Sequence, residues 1–144
     1  MSGETERPQR FGRAFRLAHR REYDAIYAGK ARVERSPLVV HGIPSPTGRS
    51  RLGLAIGRRV GNAVRRGRLK RKIREAFRME RASLPAPYDV VVGARPHDDL
   101  PLATYRQQLA AAIEAIHALW MKRERRANRP SPPPDGGPGL SPPS

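Results

Sequence analysis

The stretch from Gly57 to Arg78 constrains the fold most, because it is strongly basic and also has the period of a helix. Its basic side chains before the first acid, Glu75, are Arg58, Arg59, Arg65, Arg66, Arg68, Lys70, Arg71, Lys72 and Arg74. At about 100° per residue, Leu69, Ile73 and Phe77 fall on one side of a helix. The cations lie opposite this stripe or on its two flanks: Arg71, Arg74 and Arg78 are opposite, Arg68 and Lys72 are on one flank, and Lys70 and Arg81 are on the other. The pattern predicts a helix that packs by an apolar stripe and presents a basic face.

This basic helix is predicted to run from Ala63 to Arg81, with Asn62 as its N-cap, because an Asn side-chain oxygen can accept an amide of the first turn. Pro85 and Pro87 end it. A merely solvated helix face is the alternative interpretation. Solvated faces usually mix charges at i and i+4, and this one does not, so we expect it to bind a polyanion.

The sequence of this stretch resembles a known family. Gly-Arg-Arg-Val-Gly-Asn-Ala-Val at 57–64, followed by Arg-Gly-Arg-Leu-Lys-Arg at 66–71, is similar to the signature of the protein subunit of bacterial ribonuclease P. In that family an Arg-Asn-Arg motif opens a basic helix that docks on the catalytic RNA. Gly67 stands where the family usually has Asn, which removes one side-chain contact. The resemblance extends from about Phe11 to about Arg126.

The resemblance implies two RNA-binding surfaces. The residues predicted to bind the catalytic RNA are Arg58, Arg59, Asn62, Arg65, Arg66, Arg68, Lys70, Arg71 and Arg74. The single-stranded 5′ leader of precursor transfer RNA is implied to lie in a cleft between the first helix and the sheet, where Tyr23, Tyr27 and His41 are the predicted contacts. Aromatic residues at i and i+4 are also typical of a helix core, and that alternative stays open for the two Tyr residues.

Composition agrees with a nucleic-acid partner. The 144 residues contain 29 Lys and Arg against 13 acids, for a net charge of +16, and nucleic acid is the usual partner of such a chain. No apolar run reaches the length of a membrane span, and the N-terminus lacks the apolar segment of a signal peptide, so we expect a cytoplasmic protein. The absence of Cys excludes disulfides, Cys-based zinc sites and thiol catalysis.

The order of predicted elements is α-β-β-α-β-α, which indicates a small α+β domain with one mostly antiparallel sheet packed by helices. The predicted elements are helices at Leu17–Tyr27, Ala63–Arg81 and Leu102–Arg125 and strands at Leu38–Ile43, Arg51–Gly57 and Tyr88–Ala94. The turn residues of 44–48 favour an antiparallel hairpin of the first two strands. Consecutive valines predict that the third strand is buried on both faces. A further short strand is possible, and the resemblance implies a left-handed βαβ crossover.

Three regions are expected along the chain. Residues 1–16 are predicted to be a flexible basic arm, residues 17–127 an RNA-binding α+β domain, and residues 128–144 a disordered tail rich in Pro and Gly.

The residues indicate binding rather than catalysis, because no His pair or carboxylate cluster with catalytic or metal spacing is present. Asp98 and Asp99 are predicted to be a loop feature and helix cap.

The resemblance implies that magnesium, held mainly by the RNA subunit, supports cleavage of precursor transfer RNA by that RNA. The chain would then be a subunit of an endoribonuclease without catalytic or metal-binding residues of its own. Its partners would be the catalytic RNA and precursor transfer RNA, with no membrane and no obligatory protein partner. A basic ribosomal-RNA- or DNA-binding protein without a processing role is the main alternative, and an autonomous nuclease is the second.

Overall fold

The computed structural model describes residues 13–128, and within them the predicted α+β fold is confirmed. The helices are α1 (Arg20–Ala28), α2 (Ala63–Glu80) and α3 (Leu102–Ala127), and the strands are β1 (Arg32–Arg35), β2 (Leu38–Pro44), β3 (Arg51–Ala55) and β4 (Tyr88–Ala94). Single 3₁₀ turns lie at Arg13–Phe15, Arg58–Val60 and Arg81–Ser83. Most of the predicted arm and nearly all of the predicted tail lie outside the described residues.

The four strands form one mixed sheet in the order β1-β2-β4-β3. β2 pairs antiparallel with β1 and β4, whereas β3 pairs parallel with β4. The predicted hairpin of β2 and β3 is therefore wrong, because β4 lies between them. The three valines of β4, Val90, Val91 and Val92, are almost fully buried. A central strand covered on both faces buries the most apolar surface, and this favours the central position of β4.

Strand β1, which forms the real hairpin with β2, is the additional short strand. β3 reaches β4 through α2, so these elements form the βαβ crossover. The left hand of that crossover stays a prediction from the resemblance.

One face of the sheet carries the main core. The predicted stripe of α2 is confirmed, since Leu69, Ile73 and Phe77 are fully buried. They pack with α3, whose buried residues include Ile113 and Ile116, and with alternate residues of the strands. Helices α2 and α3 together therefore cover this inner face.

The loop before α3 differs from expectation. Pro101 is the N-cap residue of α3, so the predicted helix cap at Asp99 is wrong. The Asp99 carboxylate instead accepts Lys72 Nζ at 2.8 Å and Arg65 Nη1 at 3.3 Å. Asp99 thus pairs with cations that are distant in sequence instead of capping the helix that follows it, and these ion pairs connect α2 to the loop after β4.

Within residues 13–128, the outer face of the sheet is covered by α1 and by Leu17 just before it. Ile26 is fully buried and packs with Leu17 and Val91. Leu17 itself precedes the helix, which begins at Arg20 rather than at the predicted Leu17, and its amide donates to Leu52 O at 3.0 Å. Nine residues of helix cannot cover four strands, so the described residues leave part of this face open.

Candidate RNA-binding groove and basic face

The N-terminal half of α1 is fixed to the sheet by an ionic network. Glu22 accepts the amides of Ala18 at 2.9 Å and His19 at 3.0 Å, and Arg51 Nη1 donates to it at 3.0 Å. Arg51 also donates to both oxygens of the buried Asp89, at 3.0 and 2.6 Å. The backbone donors at His19 and Ala18, with Arg51 adding to them, lower the pKa of Glu22 to about 2.

Tyr23 lies against the edge strand β3. Its hydroxyl accepts the amide of Leu54 at 3.2 Å, and its ring covers Gly53 so closely that a Cβ there would lie 2.7 Å from the ring. The same ring lines a depression of about 170 Å³ together with Lys70 and Arg74 of α2. Burial, with the nearby charges of other arginines, lowers the pKa of Arg74. Tyr23 thus holds α1 on the sheet and also borders the basic face.

The open part of the outer face is a groove of about 370 Å³. Its floor is one cross-strand row, in which Val39 of β2, Gly93 of β4 and Ala55 of β3 are register partners. Directly paired residues share a face of the sheet, so these small side chains point the same way. A Cβ at Gly93 would lie 3.1 Å from Ala55 O. Because Gly93 and Ala55 have little or no side chain, the groove is deep at this row, and a planar group can approach the backbone there.

Tyr27 and His41 form the aromatic wall of this groove. Their rings meet edge to face, with centroids 4.8 Å apart and planes at 80°. Tyr27 is 41% exposed, the only large aromatic side chain among the exposed hydrophobics within residues 13–128. Partial burial, with the charge of Arg32 adding to it, lowers the pKa of His41, so its imidazole is neutral at neutral pH. The wall therefore offers an uncharged stacking surface.

Cations line both ends of the groove. Arg58 and Arg59 lie on the 3₁₀ turn after β3, at the end nearest α2, and both are exposed. Arg32 and Arg95 lie at the β1 end. No acidic side chain lines the groove within the described range 13–128. An extended polyanion fits such a surface, since its phosphates can meet cations while its bases meet the aromatic wall.

The basic face of α2 adjoins this groove. Asn62 is the N-cap, as predicted, and its Oδ1 accepts the Arg65 amide at 2.9 Å. Gly61 before it has φ of 155°, a conformation that side chains disfavour, and this turns the chain into the helix. Arg68 and Arg71 are exposed on the outer side. A Cβ at Gly67 would meet only Arg71 Nη1, at 3.7 Å, so the position has room for a side chain.

Two of the residues predicted to bind RNA are used within the protein. Arg65 is only 16% exposed and donates to Asp99 and to His97 O, the latter at 2.8 Å. Arg66 donates to Gly61 O at 3.1 Å. Lys72, on the same side, also binds Asp99, whose pKa is lowered mainly by the hydrogen bond from that ammonium. The charge of Arg68 also contributes to the lowered pKa of Asp99, so this flank of α2 is partly neutralised, whereas Arg71 is exposed further round the helix.

The structure divides the predicted site residues into groups. Tyr27, His41, Arg58 and Arg59 line one groove, Tyr23, Lys70 and Arg74 line the depression beside β3, and Arg68 and Arg71 are exposed on α2. Sequence reasoning missed Arg32, Arg95 and the groove floor. The alternation of side chains along β2 puts Val39 on the same face as His41, so Val39 could have been predicted to line the groove. No comparable sequence pattern indicates Arg32 or Arg95.

Two further properties bear on function. Among residues 13–128, no three His, Asp or Glu side chains lie close enough together to hold a metal ion. Within that same part of the chain, every helix is too short or too polar to cross a membrane.

Comparison with known proteins identifies the family. The family model described as Ribonuclease P matches residues 11–117. The ribonuclease P protein component of Desulfovibrio desulfuricans is 38% identical over 109 residues, covering 74% of this chain and 84% of the relative. That of Symbiobacterium thermophilum is 36% identical over 109 residues, covering 74% and 95%. The solved RNase P protein from Thermotoga maritima superposes with a TM-score of 0.62 at 30% identity, covering 69% of this chain and 94% of that one. The chain therefore belongs to the family of bacterial ribonuclease P protein components.

Proposed function

We propose that this chain is the protein subunit of a cytoplasmic ribonuclease P holoenzyme. It binds the catalytic RNA through the basic face of α2 and the 5′ leader of precursor transfer RNA through the groove beside α1. The RNA subunit then removes the leader to give the mature 5′ end. The observation that carries the proposal, beyond family membership, is that Arg58 and Arg59 share one groove with Tyr27 and His41.

The groove suits a single strand better than a duplex. A duplex hides its base faces, whereas a single strand can place a base against Tyr27 and its phosphates near Arg58 and Arg59. Stacking requires only a π-face, so this contact tolerates different leader sequences. Mature transfer RNA has no leader and gains nothing from the groove. The groove therefore favours substrate over product.

The basic face of α2 suits structured RNA. Arg68 and Arg71 present guanidinium groups whose planar forks match phosphate oxygens. Arg71 lies on the opposite side of the helix from Leu69 and Ile73, which fix the helix on the sheet, and Arg68 lies on the flank of the helix. A rigid helix that holds both cations in place requires little reordering on binding.

The chemistry of cleavage is assigned to the RNA. Magnesium prefers several oxygen ligands, and four of the described acids, Glu22, Glu34, Asp89 and Asp99, are already used by cations of the chain. Magnesium would then be held mainly by the RNA subunit and would support the hydrolysis there. The protein contributes substrate affinity and orientation.

Reconstitution tests this proposal. The protein is assembled with its cognate RNA, and the affinities for leader-bearing precursor and for mature transfer RNA are compared. A preference for the precursor that disappears when the protein is omitted supports the proposal. Equal affinity for both, or recovery of ribosomal RNA or DNA instead of one dominant structured RNA from cells, contradicts it. Cleavage by protein freed of all RNA would contradict the assignment of catalysis.

The basic face has its own test. Arg68→Gln with Arg71→Gln is expected to weaken binding to the catalytic RNA and to reduce the slope of log affinity against log salt by about 0.9 for each phosphate that the variant no longer neutralises. Arg125→Gln with Arg126→Gln, at the exposed end of α3, removes the same charge and is the matched control. An equal change of slope in both variants would show that only net charge matters.

A further inference from the structure

The two ends of the groove are not electrostatically equivalent. At the α2 end, Arg58 and Arg59 are exposed. At the β1 end, Arg32 and Arg95 are both bound to Glu34. The guanidinium groups that a strand of RNA would meet last are thus already in contact with a carboxylate.

Glu34 lies on the groove side of the sheet. It is the register partner of Val39, so the floor row of Ala55, Gly93 and Val39 continues onto β1 as Glu34. This row crosses three inter-strand spacings of about 4.8 Å, or about 14 Å in total. Glu34 therefore lies at the β1 edge of the sheet, where a single strand of RNA would leave the groove.

The contacts of Glu34 engage both arginines. Arg95 donates Nε to Oε2 at 2.5 Å and Nη2 to Oε1 at 2.9 Å, the two-pronged geometry with which arginine also binds phosphate. Arg32 Nη2 lies 3.4 Å from Oε1. The hydrogen bond from Arg95, with further help from Arg32, lowers the pKa of Glu34, so it is charged at neutral pH.

We propose that Glu34 is a specificity-determining residue that limits the affinity of the groove for long leaders, by occupying Arg32 and Arg95 and by repelling phosphate at the β1 edge. This inference rests on the proposed function, since it concerns the same groove. We take the RNA to enter the groove beside α2, where the catalytic RNA is proposed to bind, so that the first leader nucleotides meet Arg58 and Arg59 and only a longer leader extends to β1. The protein then contacts the leader near the cleavage position firmly and its distal part weakly, which favours release of the leader after cleavage.

The experiment compares Glu34→Gln with wild type in the reconstituted holoenzyme. Substrates are precursor transfer RNAs with a short leader and a long leader, together with mature transfer RNA. We expect Glu34→Gln to bind the long-leader substrate about fivefold more tightly. Its log affinity should fall more steeply with log salt, by about 0.7 for each phosphate that a freed arginine contacts. Affinities for the short-leader substrate and for mature transfer RNA should not change.

Controls separate this effect from net charge and from folding. Glu114→Gln on α3, which packs on the inner face, makes the same charge change away from the groove and should alter none of the affinities. Glu34→Gln with Arg95→Gln should lose most of the gain. The melting temperature of Glu34→Gln should stay close to wild type, since Glu34 and Arg95 form an exposed pair.

Three results would overturn the inference: equal gains in Glu34→Gln and Glu114→Gln, a gain that also appears with mature transfer RNA, or weaker binding of the long leader. No change in Glu34→Gln, with wild type still preferring precursor, would refute the role of Glu34 and leave the proposed function standing. A wild-type holoenzyme without any preference for precursor would refute the proposed function itself.

Discussion

The two ends of helix α1 lie on the same face of the sheet but have opposite environments. At the N-terminal end, Glu22, Arg51 and Asp89 close the contact with ion pairs, and Tyr23 covers Gly53. At the C-terminal end, Tyr27 stands 41% exposed over an open groove. A single helix can thus be anchored at one end so that its other end presents a binding surface.

Tyr23 and Tyr27 show the consequence most directly. They are one helical turn apart and chemically identical, yet the hydroxyl of Tyr23 is used by Leu54 N–H and the ring of Tyr27 touches His41. We therefore interpret Tyr23 as mainly structural and Tyr27 as the principal stacking residue. The following predictions test that division.

The largest effect is expected from the anchor. Asp89→Asn removes the more buried of the two charge partners of Arg51, whose side chain is only 14% exposed, and breaking a buried pair in this way costs about 3 kcal/mol of unfolding free energy. Urea unfolding measures it. Asp24→Asn, at an exposed position of α1, is the control and should change stability little. Equal, small losses in both variants would show that the network does not hold α1.

The next effect concerns binding. Tyr27→Leu keeps apolar bulk but removes the aromatic face, so the holoenzyme should lose about 2 kcal/mol of affinity for leader-bearing precursor. Affinity for mature transfer RNA and the free energy of unfolding should hardly change. Tyr27→Phe keeps the ring and should bind as wild type does. If precursor and mature transfer RNA lose affinity equally, Tyr27 does not contact the leader.

Tyr23→Phe is expected to do the reverse. It deletes the hydroxyl that accepts Leu54 N–H, at a cost of about 1 kcal/mol in unfolding free energy. The ring stays over Gly53, so leader affinity should be retained. Chemical denaturation and precursor binding are measured on the same preparation. Unchanged stability combined with weaker precursor binding would reverse the roles that we assign to the two Tyr residues.

The last prediction concerns the pH dependence of stability at Glu22. The pKa of Glu22 is about 2 in the folded protein and 4.5 without the fold, so its contribution is fully present above pH 4.5 and is lost as the pH falls toward 2. Glu22→Gln should therefore be less stable than wild type at pH 6, and the difference should shrink as the pH is lowered below 4.5. Denaturant midpoints over this range measure it. A difference that does not vary with pH would indicate a loss of packing rather than of charge.

Sequence periodicity predicted faces well and partners poorly. The stripe of Leu69, Ile73 and Phe77 and the doubly buried valines of β4 are confirmed, because burial of a face depends on spacing alone. The pairing of β2 with β4 depends on residues about fifty positions apart, and the turn at 44–48 suggested the wrong partner. β1 was seen only as a possible extra strand, because Arg-Val-Glu-Arg has a single apolar residue.

The candidate site was predictable to a similar degree. The basic face of α2 and its N-cap Asn62 follow from local sequence, and the aromatic contacts followed from the family resemblance. The partners of Arg65 did not, because Asp99 lies 34 residues away. The different environments of Tyr23 and Tyr27 could not be derived from the sequence, because helical spacing places both residues on the same face of α1. The difference comes from the strands on which the two rings lie.

Because β4 lies between β2 and β3, the floor of the groove does not exist until the chain has been synthesised past Ala94. A nascent chain that ends after α2 already carries every residue predicted to touch RNA, but β2 and β3 then have no strand between them. At that stage any polyanion, including ribosomal RNA, can reach the cations of α2. The apolar stripe of α2 is not yet covered, because α3 has not been synthesised. The proposed RNA-binding cations of α2 are therefore complete early during translation, whereas the proposed leader groove is completed only with β4.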